Sequence, residues 1–164
     1  MASNGDLTIG TITIGFDSSE GLMVDELFLE EANVLRQKGR SICEFTKLAM
    51  DSVVRSKRAL ASLFHVAFIY AFRLRHFNDL LIEVNPRHVR YYERMLGFEV
   101  RAPKRLNLRV NAPAVLMSLN LAYCQEQILK YGGRPELSTN EKSLYPYCFS
   151  IPEEAGIVGR LQRY

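Results

Sequence analysis

The sequence has no tryptophan, only three histidines and only three cysteines in 164 residues. Cys43, Cys124 and Cys148 form no CxxC pair and no even framework, which argues against a disulfide-stapled scaffold and favours reduced thiols in a cytosol-like compartment. The histidines are as scattered as the cysteines, so no metal-ligand spacing arises, nor any Ser-His-Asp arrangement. No apolar stretch approaches the ~20 residues of a membrane span. The N-terminus, MASNGDLTIGTITIG, lacks a basic start followed by an apolar run and so does not read as a signal peptide. Nucleic-acid motifs and aromatic-interleaved basic stretches are missing as well. These absences leave a soluble cytoplasmic protein as the expectation.

The residues present are those of an ordinary globular domain: 48% hydrophobic and 24% charged. A net charge of +3 hides an asymmetry. Residues 1–35 hold seven acids and no lysine or arginine, whereas residues 85–109 hold Arg87, Arg90, Arg94, Arg101, Lys104, Arg105 and Arg109 against Glu93 and Glu99. One side is therefore basic enough to steer an anionic partner, unless it is only a solvated face.

Periodicity gives alternating elements. Residues 7–16 read as a strand, with Gly10 as a bulge where Leu7 and Ile9 fall out of register. Residues 23–38 read as a helix ended by Gly39. Residues 41–50, "SICEFTKLAM", suit a buried strand, and a helix follows to about His76. "DLLIEV", 79–84, is a second buried strand; 86–96 is a helix stopped by Gly97. "FEVRA" is a strand, and 112–122 is a strand running into a helix near 123–131. "SIPE", Ser150 to Glu153, fits a capping box. This is an α/β pattern, in which ligands bind at the carboxyl ends of the strands. Glu44, Asn85 and the turn 55–60 converge there. The turn is unusual. Arg55, Lys57 and Arg58 crowd a helix start, where the helix dipole makes cations mildly unfavourable; an anion docking there gives them a purpose.

"EFTKLAMDSVVRSKRAL" followed by "IEVNPRHVRYYERMLGFEV" resembles the GCN5-related N-acetyltransferase superfamily, and more narrowly the FeeM-like N-acyl amino acid synthases. "NPRHVRYYERMLGF" and "RVNAPAVL" carry the narrower likeness; the resemblance covers roughly residues 7–122 and extends to the tail "SLYPYCFSIPEEAGIVGRL". The resemblance implies one α/β domain over 1–164, with 123–164 a C-terminal extension. Its sheet would be mixed and largely antiparallel, flanked by helices, without the superfamily's usual first strand and helices. It implies acyl transfer from a thioester to an amine. The superfamily cradles coenzyme A pyrophosphate in an Arg/Gln-x-x-Gly-x-Gly/Ala turn, and Arg58 and Leu60 stand here where glycines let a backbone approach phosphate. That fits a donor with one phosphate, the acyl-phosphopantetheine of an acyl carrier protein, better than acyl-coenzyme A.

By the same resemblance the donor contacts are Leu48, Met50, Arg55, Ser56, Lys57, Arg58, Ala59, Leu60 and Asn85. Tyr92, seven residues after Asn85, is the expected general acid for the departing thiolate, with Tyr91 as runner-up. Glu44, mid-strand among apolar residues, is the expected general base, since burial raises a carboxyl toward a useful pKa; the alternative is a structural ion pair with Lys47 or an arginine. Arg101 or Arg109 is a candidate for the carboxylate of an amino acid acceptor. His65, on an apolar helix, reads as a core histidine, and no spacing supports a role for His88. Two other functions stay open: a coenzyme A-dependent acetyltransferase, and a non-catalytic module that binds acyl carrier protein.

Overall fold

The computed structural model describes residues 6–9, 12–46 and 56–163. Strands β1 (Leu7–Ile9) and β2 (Ile12–Phe16) lead to helix α1 (Asp25–Gln37) and strand β3 (Ile42–Thr46). Helix α2 (Lys57–Phe68) continues as a π-helical turn over Ile69–Leu74 into β4 (Asp79–Val84). A 3₁₀ turn (Pro86–His88) opens α3 (Val89–Leu96), followed by β5 (Glu99–Val100), β6 (Arg105–Asn107) and β7 (Ala112–Asn120). Helix α4 (Leu121–Tyr131), 3₁₀ turns at Pro135–Thr139 and Tyr145–Tyr147, and helix α5 (Ile151–Leu161) complete the order.

The strands form one sheet, β1-β2-β3-β4-β7-β5, with β6 beside the first half of β7. Among the described residues only β3 and β4 run parallel; every other pairing is antiparallel. The mixed, largely antiparallel sheet expected from the sequence is therefore present. Alternation along the strands divides the core in two. Ile12, Ile14, Cys43, Phe45, Leu80, Ile82 and Met117 face α2, α3, α4 and the C-terminal turns. Ile42, Leu81, Ala114 and Leu116 face Val24, Phe28, Ala32 and Leu35 of α1 and its approach.

Two strand readings change. Residues 7–16 are two strands, because β1 and β2 pair antiparallel with Leu7 opposite Ile14 and Ile9 opposite Ile12. The shift in apolar phase marks a change of strand, not a bulge; Gly10 and Thr11 lie outside the described residues. Strand β6 was not anticipated, since three residues with one buried position give no readable alternation. Helix α2 does not run regularly to His76: the π-helical turn intervenes, and His76 has a φ of 59°. Among the described residues no helix is long and apolar enough to cross a membrane.

Candidate active site

The site begins where two strands part. The β3–β4 ladder ends at Phe45 opposite Ile82. Beyond it β3 stays with β2 through Thr46, while β4 stays with β7 through Val84. Among the described residues a fork thus opens at the carboxyl ends of the parallel pair β3–β4, with the 3₁₀ turn before α3 following β4 in the chain and α2 the next described element after β3. Its central residues are apolar (Ile42, Phe45, Leu80, Ile82), as strands covered on both faces require.

The start of α2 is built for polar contact. Ser56 is the N-cap, its Oγ accepting the Ala59 N–H at 3.3 Å. Lys57, Arg58 and Ala59 are exposed, and Leu60 turns inward. Arg58 lines a groove of about 300 Å³ with Ser62, Tyr147, Phe149 and Glu153, so the C-terminal segment forms its other wall. Leu48, Met50, Arg55 and Lys47 lie outside the described residues. Asn85 caps the turn after β4: its Oδ1 accepts the Arg87 N–H at 3.1 Å. That amide oxygen is thus engaged in shaping the loop beside the fork.

On the helical side of the fork lies an apolar cavity lined by Ile12, Phe45, Leu60, Phe64, Tyr91, Tyr92, Leu96 and Phe98. It has about 10 Å³ of space for the centre of a water, roughly what one water needs. Tyr92 is buried and meets Phe98 edge-on, ring centres 5.7 Å apart. Tyr91 is half-buried, and burial pushes its phenol up from the ordinary value. Gly97 ends α3 with a φ of 88°, and a Cβ there would sit 2.7 Å from the Tyr123 ring; only glycine permits both the turn and the approach.

Glu44 points the other way. Phe45 faces the cavity, so its neighbour projects through the opposite face, toward α1. Its carboxylate accepts the Met23 N–H at 2.7 Å and the Val24 N–H at 3.0 Å. Each oxygen therefore holds an amide at the start of α1. Burial raises the Glu44 pKa, and the two amides oppose that rise. Gly15 makes room: a Cβ there would come within 3.1 Å of Oε2. Among the described residues Glu44 has backbone amides, not a lysine or arginine, as its hydrogen-bond partners. The expected acid and base thus stand on opposite faces of the sheet, with the fork between them.

Two residues at the fork went unread in the sequence. Glu83, on β4, lies one position beyond the last β3–β4 pair and on the α1 face. Its Oε2 accepts from Asn107 Nδ2 at 3.1 Å, and Asn107 is buried on β6. Burial raises the Glu83 pKa against the lowering by Asn107 and Arg109. The available signal was an acid two positions after buried Leu81, within the apolar run that follows Asp79. Asn107 had none, because β6 itself was not visible. Of the two candidate arginines, Arg101 donates to Ser118 Oγ. Arg109 lies by the fork, 3.6 Å from Glu26. His65 is fully buried in the core, as expected.

The family model described as "N-acyl amino acid synthase FeeM" matches residues 1–120. Among solved structures, that of FeeM, an N-acyl amino acid synthase from uncultured soil microbes, is 29% identical with a TM-score of 0.63 over 70% of this chain. This chain spans 64% of that structure's length. An aminoglycoside N(6')acetyltransferase from Legionella pneumophila subsp. pneumophila str. Philadelphia 1 is 14% identical, with a TM-score of 0.46 over 71% of this chain and 58% of its own. No protein with a curated description matches the sequence. The extent of the family match, over the segment that builds the fork and both of its faces, makes the chain a member of the FeeM family of N-acyl amino acid synthases.

Proposed function

We propose that the chain transfers a fatty acyl group from the phosphopantetheine thioester of an acyl carrier protein to the amine of an amino acid. The observation that carries this reading is the juxtaposition at the fork: an all-apolar cavity on one face and an exposed basic helix start beside it. An acyl chain suits the first and an anionic donor arm the second. Lys57 and Arg58, with Arg55 before them, meet the phosphate and the acidic carrier surface. Leu60, Phe64 and Leu96 meet the chain, and must part to admit it, because the cavity holds only about one water. Tyr92, in the cavity wall, protonates the departing thiolate.

The acceptor enters from the α1 face. Proton removal therefore falls to a carboxylate on that face, where Glu44 and Glu83 lie. Both Glu44 oxygens are engaged by amides at the start of α1, and its role in this reading is to hold that helix in place.

Donor identity is tested by supplying the protein with one amino acid and the same acyl chain on either acyl carrier protein or coenzyme A. A higher kcat/KM with the carrier protein is expected, because Arg58 and Leu60 replace the glycines that pyrophosphate needs. Faster turnover with acyl-coenzyme A overturns the donor assignment, and carrier binding without turnover of any amine overturns the enzyme.

A further inference from the structure

Glu83 and Arg109 are the charged pair at the fork that the core does not need. Glu83 stands one step past Phe45–Ile82, the last β3–β4 pair among the described residues. Its carboxylate thus sits on the α1 face at the carboxyl end of that pair, across the sheet from the apolar cavity. One oxygen takes the Asn107 Nδ2 hydrogen bond at 3.1 Å; among the described residues the other has none. Asn107 is only 6% exposed, and its Oδ1 accepts the Arg109 N–H at 3.0 Å. A single buried amide therefore fixes both the carboxylate and the backbone that carries the arginine. The two charges interact, since Arg109 opposes the rise that burial gives the Glu83 pKa. The Arg109 guanidinium reaches Glu26 Oε2 only at 3.6 Å, with both side chains largely exposed, so a ligand carboxylate can take its place at small cost. Arg101 is engaged with Ser118, which pairs with Leu81, two positions farther from the fork.

We infer that Glu83 and Arg109 form the acceptor subsite, Glu83 taking the ammonium and removing its proton while Arg109 holds the α-carboxylate of a free amino acid. The assignment rests on the acyl-transfer reading above. An α-amino acid carries both charges on one carbon, and Asn107 ties a carboxylate and the backbone of a guanidinium to one place. Glu83 accepts one proton from the ammonium and passes it to water. The neutral nitrogen attacks the thioester carbonyl; the C–N bond forms and the C–S bond breaks. The second nitrogen proton balances the one that Tyr92 gives to the thiolate, leaving an amide and a free thiol.

The test uses L-leucine and L-phenylalanine against isopentylamine and phenethylamine, the same molecules without the carboxylate. Arg109→Gln raises KM for the amino acids about 10- to 100-fold and leaves the amines within about twofold. Glu83→Gln keeps an acceptor for Asn107, lowers kcat for both kinds of acceptor about 10²–10⁴-fold, and removes the acid limb of the pH profile set by Glu83 among Asn107, Arg109 and Glu26. Variants that track the wild type, or an Arg109→Gln variant that slows amines and amino acids alike, overturn the subsite. Saturation-transfer NMR of the same amino acids on the donor-free protein separates the two claims. Binding that Arg109→Gln abolishes supports the subsite even if no donor is turned over, and then only the acyl-transfer reading falls. A wild type that binds no amino acid overturns the subsite whatever its turnover of amines.

Discussion

Ionising Glu44 places a negative charge where water has been excluded and two backbone amides are its compensation. Its pKa is raised by burial more than the amides lower it. Below the ordinary carboxylate value, about 4.3, both folded and unfolded chains carry the proton. As pH rises past that value the unfolded chain ionises first, so this group costs stability until the folded value is passed, and the loss then levels off. Glu44→Gln has no such titration. In urea melts from about pH 4 to pH 8, the stability difference between wild type and Glu44→Gln should move against the wild type; a constant difference refutes the pKa direction. The same variant reports on catalysis. A capping role leaves turnover of the folded fraction within about tenfold of wild type, whereas a general base would cost about 10²–10⁴-fold. The sequence made Glu44 conspicuous because a carboxylate among Ile42, Cys43 and Phe45 needs a partner. It did not name the partner, since the amides of Met23 and Val24 lie about twenty residues away in the chain and amides carry no residue signature.

Helices α2 and α5 are joined by a contact that periodicity did not reveal. The Phe149 N–H donates to His65 Nδ1 at 3.0 Å, which fixes the imidazole with its hydrogen on Nε2. That nitrogen faces Glu154 Oε2 at 3.7 Å, while Arg73 Nε donates to the other Glu154 oxygen at 2.8 Å. Burial alone would raise the Glu154 carboxyl, but the imidazole and the guanidinium outweigh it and hold it at about 2. A depressed carboxyl contributes stability above its unfolded value, which is lost as pH falls from about 4.3 toward 2. Glu154→Gln should therefore cost about 1–3 kcal/mol at neutral pH and nothing below pH 2. An equal cost at pH 7 and pH 2 means that packing, not charge, joins the helices. The capping box that opens α5 was legible, because Ser150 and Glu153 are three residues apart. The Arg73–Glu154 pair spans 81 positions, and local pattern carries no information at that distance.

At the scale of the whole molecule, the two faces of the core follow from alternation in "ICEF", "DLLIEV" and "AVLMSL", which sets faces but not the order of the strands. The β1–β2 hairpin and β6 escaped because a three-residue strand shows too little of its period. The fork was not legible: strand divergence is set by which neighbour each strand keeps, not by its own residues. The tail beyond residue 131 belongs energetically to the core. Leu144, Tyr145 and Cys148 are buried among residues of α2 and α4. Tyr145 Oη donates to the Leu96 carbonyl at 2.5 Å, and the Leu144 N–H donates to the Met95 carbonyl at 2.9 Å. Deleting residues 132–164 should abolish the cooperative thermal transition, because burying two large apolar side chains and satisfying two carbonyls of α3 is worth several kcal/mol, on the order of a domain's net stability. A truncated chain that melts cooperatively within about 5 °C of the full one contradicts this.

A ribosome releases the fork long before it releases Tyr145. While residues 132–164 are still inside the exit tunnel, the nascent chain already holds β3, β4 and β7, yet the α3–α4 side of its core stands open to water. The carbonyls of Met95 and Leu96 must wait for partners some fifty residues downstream. During that interval the growing chain presents an apolar surface to the cell. Holdase chaperones have their opportunity then, and the protein becomes independent of them only when its tail emerges.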